Sequence, residues 1–252
     1  MLAGPEAGIT RDAVAVEWTY KKRTIRLVDT AGLRRRAKVD AKVEKLSAAD
    51  TQRAIRFAQV VVLLVDAEAA MEKQDLTIAR QVIDEGRALV IGVNKWDRCR
   101  DRKRVLADLR DRLKRSLPQV RGIPLVTLSA LRGDNTEALM DAVLAAYEVW
   151  NRRVSTAQLN RWLEAVTTQH PPPAPSGRRI RIKYMTQAKT RPPTFAVFCS
   201  KPTELPRSYM RYLENSLREQ FDLPGTPIRL NLRKGENPYK QQSGSHTKSH
   251  HQ

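Results

Sequence analysis

Three apolar runs decide most of what this chain can fold into. Residues 60–65, 88–93 and 123–128 are built almost wholly from Val, Leu, Ile and Ala. Runs of that length without polar alternation suit strands buried on both faces, and such strands belong to parallel sheets covered by helices on each side. Segments of helical character separate them. Leu76, Ala79 and Ile83 keep helical spacing until Gly86, a charged amphipathic stretch covers 101–116 with Pro118 beyond its end, and 136–150 reads as a closing helix. Strand and helix in strict alternation predict an α/β layer structure with a mostly parallel sheet.

The residues before this unit form a different pattern. Residues 1–12 mix Gly and Pro with polar side chains and read as a loop, after which 13–20 alternate as a strand. Lys21, Lys22 and Arg23 make a basic turn, and 24–28 form a second strand ending in Asp29-Thr30-Ala31-Gly32. Leu33, the triplet Arg34 to Arg36 and a polar stretch follow, up to Ser47, which can cap a helix through 48–57. Every polar signature thus falls at the carboxyl end of a strand: Asp29, Asp66, Asn94 to Asp97, and Ser129. In open α/β sheets that rim binds ligands, and an acid there can hold a metal ion beside a phosphate. Asp66 alone reads as a turn residue, and an isolated Asp-x-x-Gly is ordinarily no more than a turn.

Charge divides the chain unevenly. The sequence carries 46 Lys and Arg against 27 Asp and Glu, a net +19, which suits a polyanionic partner. Residues 151–252 hold 18 basic and 6 acidic side chains, so the shorter part is the more basic. It opens with a helix capped by Ser155 or Thr156, with Leu159, Trp162, Leu163 and Val166 on one face. A stiff Pro-rich connector over 170–177 follows. Strands are expected over 179–187, with Ile180, Ile182 and Tyr184 alternating, over 194–200, with Phe195, Val197 and Cys199 or their neighbours, and over 227–232. A helix from Pro206 to Phe221 lies between the last two. Helix, strand, strand, helix, strand describes a small α+β module, and a polar tail runs from about Lys240. Cys99 and Cys199 stand a hundred residues apart with no CxxC spacing, which points to a reducing cytoplasm. No run is long and apolar enough for a membrane span, and no signal peptide is visible.

Asn94-Lys95-Trp96-Asp97 carries the sharpest chemistry. A carboxylate can accept the ring N–H and the exocyclic amine of guanine together, an Asn amide can meet the base edge, and the stem of a Lys can pack on the ring. Ser129-Ala130 on the next strand end can add a backbone N–H toward the guanine oxygen. Trp96 and Trp162 read as packing residues rather than base-stacking platforms.

With these residues in hand, the chain resembles translation-factor-like GTPases, and more narrowly the Der (EngA) family of double-GTPase ribosome-assembly proteins. Gly8-Ile-Thr-Arg-Asp12, Asp29-Thr-Ala-Gly-Leu-Arg-Arg-Arg36, Asn94-Lys-Trp-Asp97, Ser129-Ala-Leu131 and Arg233-Lys-Gly-Glu-Asn-Pro-Tyr239 carry the resemblance, in order. It implies a P-loop-NTPase-like GTPase domain over 1–152, a KH-like domain over 153–239 and a disordered basic tail over 240–252. It also implies GTP or GDP with Mg²⁺ as cofactors. The nucleotide site would comprise Asp29, Thr30, Ala31, Gly32, Leu33, Asn94, Lys95, Trp96, Asp97, Ser129 and Ala130. Thr10 and Asp29 would attend the metal, and the segment from Leu33 to about Phe57 would be the mobile second switch. The partner implied is ribosomal RNA or the large ribosomal subunit, with no membrane and no DNA.

Two departures qualify the resemblance. Leu33 stands where many GTPases have the glutamine that orients the attacking water. None of the 11 glycines is followed by Lys-Ser or Lys-Thr, so no phosphate loop is present, nor the strand expected before it. Its loss is expected to leave strand edges near 60–65 and 88–93 and to weaken nucleotide binding. In the basic module no Gly-x-x-Gly clamp is found, yet Arg178, Arg179, Arg181 and Lys183 crowd one strand beside Tyr184, and Arg229, Arg233 and Lys234 another, which favours contact with ribosomal RNA or protein over a merely solvated face. The expected function is a Der-type GTPase serving large-subunit biogenesis, here as an N-terminally shortened piece. The alternatives are a non-hydrolysing RNA- or ribosome-binding module on a degenerate GTPase fold, and a mispredicted start with no role of its own.

Overall fold

A computed structural model of the chain describes residues 14–29, 51–174 and 179–235, without the side chains of Val14 and Asp29. Thr10, Thr30, Ala31, Gly32, Leu33, Arg178 and the tail from 240 lie outside the described residues.

Strands β3 (Val60–Asp66), β4 (Ala88–Asn94) and β5 (Leu125–Thr127) form a parallel sheet in that order. The central β4 is buried from Ala88 to Val93, as an uninterrupted apolar run requires. Its side chains alternate between two cores. Leu89, Ile91 and Val93 join Leu63 and Val65 beneath α1 (Lys73–Asp84) and α2 (Arg102–Ser116). Ala88 and Val90 face α3 (Thr136–Trp150) through Ala146 and Trp150. Asp101 caps α2 by accepting the Arg104 N–H at 3.2 Å, and Glu72 with Asp75 forms a capping box at α1.

Strands β1 (Val14–Tyr20) and β2 (Arg23–Asp29) make the expected hairpin, but as a separate two-stranded sheet. It is pinned to α3 by exposed polar contacts: the Tyr20 hydroxyl donates to Asp141 at 3.0 Å, Lys21 pairs with Asp141 and Arg23 with Glu148. Among the described residues no strand joins β2 to β3. Val16, Trp18, Leu27, Val28 and Leu64 are accordingly exposed. The expectation of two open edges holds at β3 and fails at 88–93. Strand β4 is paired along its whole length with β3, from Val60↔Ala88 to Asp66↔Asn94, and also with β5. The reason is topological: β4 lies inside the sheet order β3-β4-β5, so β3 is the strand left with an unpaired side among the described residues.

The second module has its own core. Helices α4 (Thr156–Gln169) and α5 (Arg207–Gln220) cover one face of the sheet β6 (Ile182–Lys189), β7 (Thr194–Cys199) and β8 (Arg229–Lys234). Strand β7 is central, antiparallel to β6 and parallel to β8. Ser155 caps α4 with Gln158 in a capping box, and Phe195, Val197, Leu213 and Leu217 are fully buried between sheet and helices. Asn160 closes the free edge of β6, accepting the Met185 N–H at 3.0 Å and donating to its carbonyl at 2.9 Å. One expectation needs correcting here. Tyr184 does not share a face with Ile182, because the register shifts between them, and Tyr184 turns outward, 41% exposed, while Met185 is buried.

The modules touch where β4 and β5 begin, at the end of the sheet opposite Asn94. Arg229 donates to the Asp84 carbonyl at 2.7 Å, and the Gly225 N–H donates to the Arg121 carbonyl at 2.6 Å. No helix among the described residues is long and apolar enough to cross a membrane.

Candidate functional site

The rim formed by the carboxyl ends of β3, β4 and β5 gathers Asp66, Asn94 and Ser129, as the strand ends predict. Asn94 is the tie between two loops. Its Oδ1 accepts the Lys95 N–H at 2.8 Å and the Ala130 N–H at 2.9 Å. The oxygen end of the amide is committed to the protein, so the donor end is the one that can meet acceptors on a base. Lys95 adopts a left-handed backbone conformation at φ 60°, which for a side-chain-bearing residue costs on the order of 1 kcal/mol. Its ammonium pairs with Asp66, whose other oxygen accepts the Glu68 N–H at 3.0 Å in an Asx turn. Asp66 is therefore the turn residue expected and also the anchor of Lys95.

Asp97 is the electrostatic centre. Its side chain is 10% exposed, and a hydrogen bond from the Ser129 hydroxyl, then a backbone N–H and the nearby Arg132 and Arg98 charges, outweigh burial and hold its carboxyl below the usual carboxylate range. Arg132 Nε stands 3.9 Å from the carboxylate. Ser129 is buried and fixed by its N–H to the Asp134 carbonyl at 3.1 Å, and its Oγ accepts the Arg132 N–H at 3.3 Å. Trp96, Asp97, Arg102, Leu128, Ser129, Arg132, Asp134 and Asn135 line a cleft of roughly 370 Å³. An ionised, partly occluded carboxylate at its wall suits two adjacent N–H donors on a planar ligand.

The structure brings Asn94, Lys95, Trp96, Asp97, Ser129 and Ala130 together. Ala130 directs its N–H to Asn94 rather than into the cleft. Trp96 is half-buried against the first core, and Trp162 donates its ring N–H to Ser216 Oγ at 3.2 Å, so both pack as expected. Asp29 ends β2, and Thr10 and 30–33, the residues expected to face the phosphates and the metal, are among those not described. Of the basic residues singled out on the second module, Arg179, Arg181, Lys183, Arg229, Arg233 and Lys234 are exposed, and Arg229 also donates across the contact between modules. Arg132 was not anticipated. Its only signal was its place in the tight Ser129–Asp134 loop, closed by Gly133 at φ 78°.

Residues 3–148 match the elongation factor Tu GTP-binding domain, and residues 153–233 match the KH-domain-like region at the C-terminus of EngA bacterial GTPases. GTPase Der of Brucella melitensis is 57% identical over 239 residues, covering 95% of this chain and 50% of that protein. GTPase Der of Mesorhizobium japonicum is 56% identical with the same coverage. The chain thus spans about half the length of the curated relatives it matches. Among solved structures, Era of Aquifex aeolicus bound to GDP and AlF4⁻ covers 91% of this chain and 83% of its own, at 18% identity and a TM-score of 0.48. With one module matched to a GTP-binding domain and the other to its EngA companion, the chain belongs to the Der (EngA) family of bacterial GTPases.

Proposed function

We propose that this chain carries the base-recognising half of a Der-type GTP site, joined to a basic module that contacts ribosomal RNA. The observation that carries the reading is Asp97 at the wall of a cleft beside Ser129, on two loops that Asn94 ties together through the Lys95 and Ala130 N–H groups. The guanine N1–H and exocyclic amine would meet the Asp97 carboxylate. The Asn94 amide would donate to the base, and the Lys95 stem, fixed by Asp66, would cover it. Adenine presents the opposite donor order at that edge and is rejected.

The phosphate end is different. Mg²⁺ and the γ-phosphate would be attended by Thr10, Asp29 and the Gly32 N–H, with Mg²⁺ supplying neutralisation of phosphate charge when bound. No Gly-Lys-Ser or Gly-Lys-Thr is present to cradle the β-phosphate. Hydrogen bonds to charged groups contribute about 1.5–3 kcal/mol each, so their absence weakens nucleotide binding by several kcal/mol. Hydrolysis coupled to large-subunit assembly is the role proposed for this site in a chain with a complete phosphate cradle.

The test is titration of the 252-residue chain with a fluorescent GDP analogue beside the adenine counterpart and an Asp97→Ala variant, with phosphate release followed in parallel. Guanine-selective binding weaker than micromolar, abolished by Asp97→Ala, with negligible turnover, is the expected result. Micromolar affinity would contradict the importance given to the missing cradle. The absence of any guanine preference would instead favour the second reading, a GTPase-like scaffold serving only to present its basic module, which the +12 charge of residues 151–252 favours independently.

A further inference from the structure

One face of the second module's sheet is packed by helices and, among the described residues, the other is not. On the packed side lie Met185, Phe195, Val197, Leu230 and Leu232. The cross-strand register puts Tyr184, Phe198 and Arg233 in one row on the opposite side, with Thr186, Ala196 and Asn231 in the next. The Tyr184 and Phe198 rings lie 5.8 Å apart between centroids. The register shift between Ile182 and Tyr184 leaves Lys183 without a cross-strand partner, and Lys183 Cδ lies 3.6 Å from where a Cβ on Gly235 would stand, beside Phe198 Cβ at 3.8 Å. Phe198 is therefore approached by a cationic side chain from each neighbouring strand, Lys183 of β6 and Arg233 of β8. Strands β6, β7 and β8 contain no Asp or Glu.

We propose that this open face binds single-stranded RNA, with Tyr184 and Phe198 as a base-stacking platform and Lys183 and Arg233 as contacts for the flanking phosphates. The proposal rests on reading the second module as RNA-binding. The chemistry selects the partner. Base faces stack on aromatic rings whatever the sequence, and a polyanion answers a rim of one sign. A duplex keeps its bases stacked on one another and offers none to the platform. A protein partner would call for a broader apolar patch than one exposed ring and one half-buried ring supply. Asn231, exposed in the neighbouring row, can hydrogen-bond a base edge or a ribose hydroxyl.

The experiment uses the full 252-residue chain and a fluorescein-labelled 12-nucleotide single-stranded oligoadenylate RNA across a salt series, with a duplex RNA of equal length and the DNA counterpart as further arms. Tyr184→Leu should weaken binding about tenfold with the salt slope unchanged, and Tyr184→Phe should stay within about twofold. Lys183→Ala combined with Arg233→Ala should flatten the slope of log K against log salt by about 1.4, the value for two single-strand phosphate contacts. If the parent chain binds RNA and Tyr184→Leu binds equally well, or duplex competes as well as single strand, the platform is wrong while the RNA reading stands. If the parent chain binds no RNA at low salt, the RNA reading falls and the platform with it.

Discussion

Asn94 holds the site through one end of its amide and offers the other. The oxygen ties Lys95 and Ala130, and replacing it by Asn94→Ala removes two hydrogen bonds, with a cost of about 1–2 kcal/mol in urea unfolding. Asn94→Asp keeps acceptors for both N–H groups and loses the donor. It should therefore retain the parent stability within about 1 kcal/mol and lose guanine preference in the nucleotide titration. Ser129 tunes Asp97 in turn. Its hydroxyl stabilises the ionised carboxylate, so Ser129→Ala should raise the Asp97 pKa toward its ordinary 3.8, as read by carboxyl NMR. The sign follows from a folded-state pKa below the unfolded one. This carboxylate's contribution to stability is complete above about pH 3.8 and is lost as pH falls through the lower folded value. That Asn94, Asp97 and Ser129 gather at the ends of neighbouring strands was legible from sequence, because each follows an uninterrupted apolar run that marks a buried strand. Where the Ala130 N–H points was not, since that depends on how the Ser129–Asp134 loop closes against β4.

At the scale of elements, a strand's security follows from what flanks it. Strand β4 is paired on both sides and buried, whereas the β1–β2 hairpin is held by solvent-exposed ion pairs, each worth little. Amide hydrogen exchange should therefore be faster in β1 and β2 than in residues 89–93, by at least about a hundredfold in protection. Equal protection would mean that the hairpin packs on more than α3. Local pattern identified the hairpin, the three parallel strands and the capped helices, because periodicity and Ser or Asp caps act within a few residues. It misplaced one open edge, since sheet order is not chain order, and it missed the shift before Tyr184, where one residue out of step exchanges the faces of a strand.

The two modules are joined by buried polar contacts. Arg218 on α5 is 5% exposed and donates to the carbonyls of Leu223 at 2.8 Å, Thr226 at 2.6 Å and, across the junction, Gln119 at 3.0 Å. Burial pushes its pKa down to about 10, with the Glu214 charge partly offsetting that cost. Gly225 at φ 63° allows the close approach, because a Cβ there would stand 2.8 Å from the Gly122 carbonyl oxygen. Trp150 donates its ring N–H to the Gly86 carbonyl at 2.7 Å in the same region. Arg218→Met strands three carbonyls and should lower unfolding stability by about 3 kcal/mol, splitting one urea transition into two as the junction loosens. None of this was visible in sequence, where Arg218 reads as one more exposed basic residue on a helix. The junction lies at the opposite end of the sheet from Asp97, so base recognition should survive its loss. The most direct test of that recognition is an NMR titration of the full chain with guanosine, adenosine and xanthosine, which weak binding does not defeat. Guanosine alone should shift the Asp97 and Ala130 amides, and Asp97→Asn, whose amide can donate to the carbonyl that xanthine carries in place of the guanine amine, should transfer the response to xanthosine. Equal shifts from all three nucleosides, or a guanosine response untouched by Asp97→Asn, would contradict the guanine pocket.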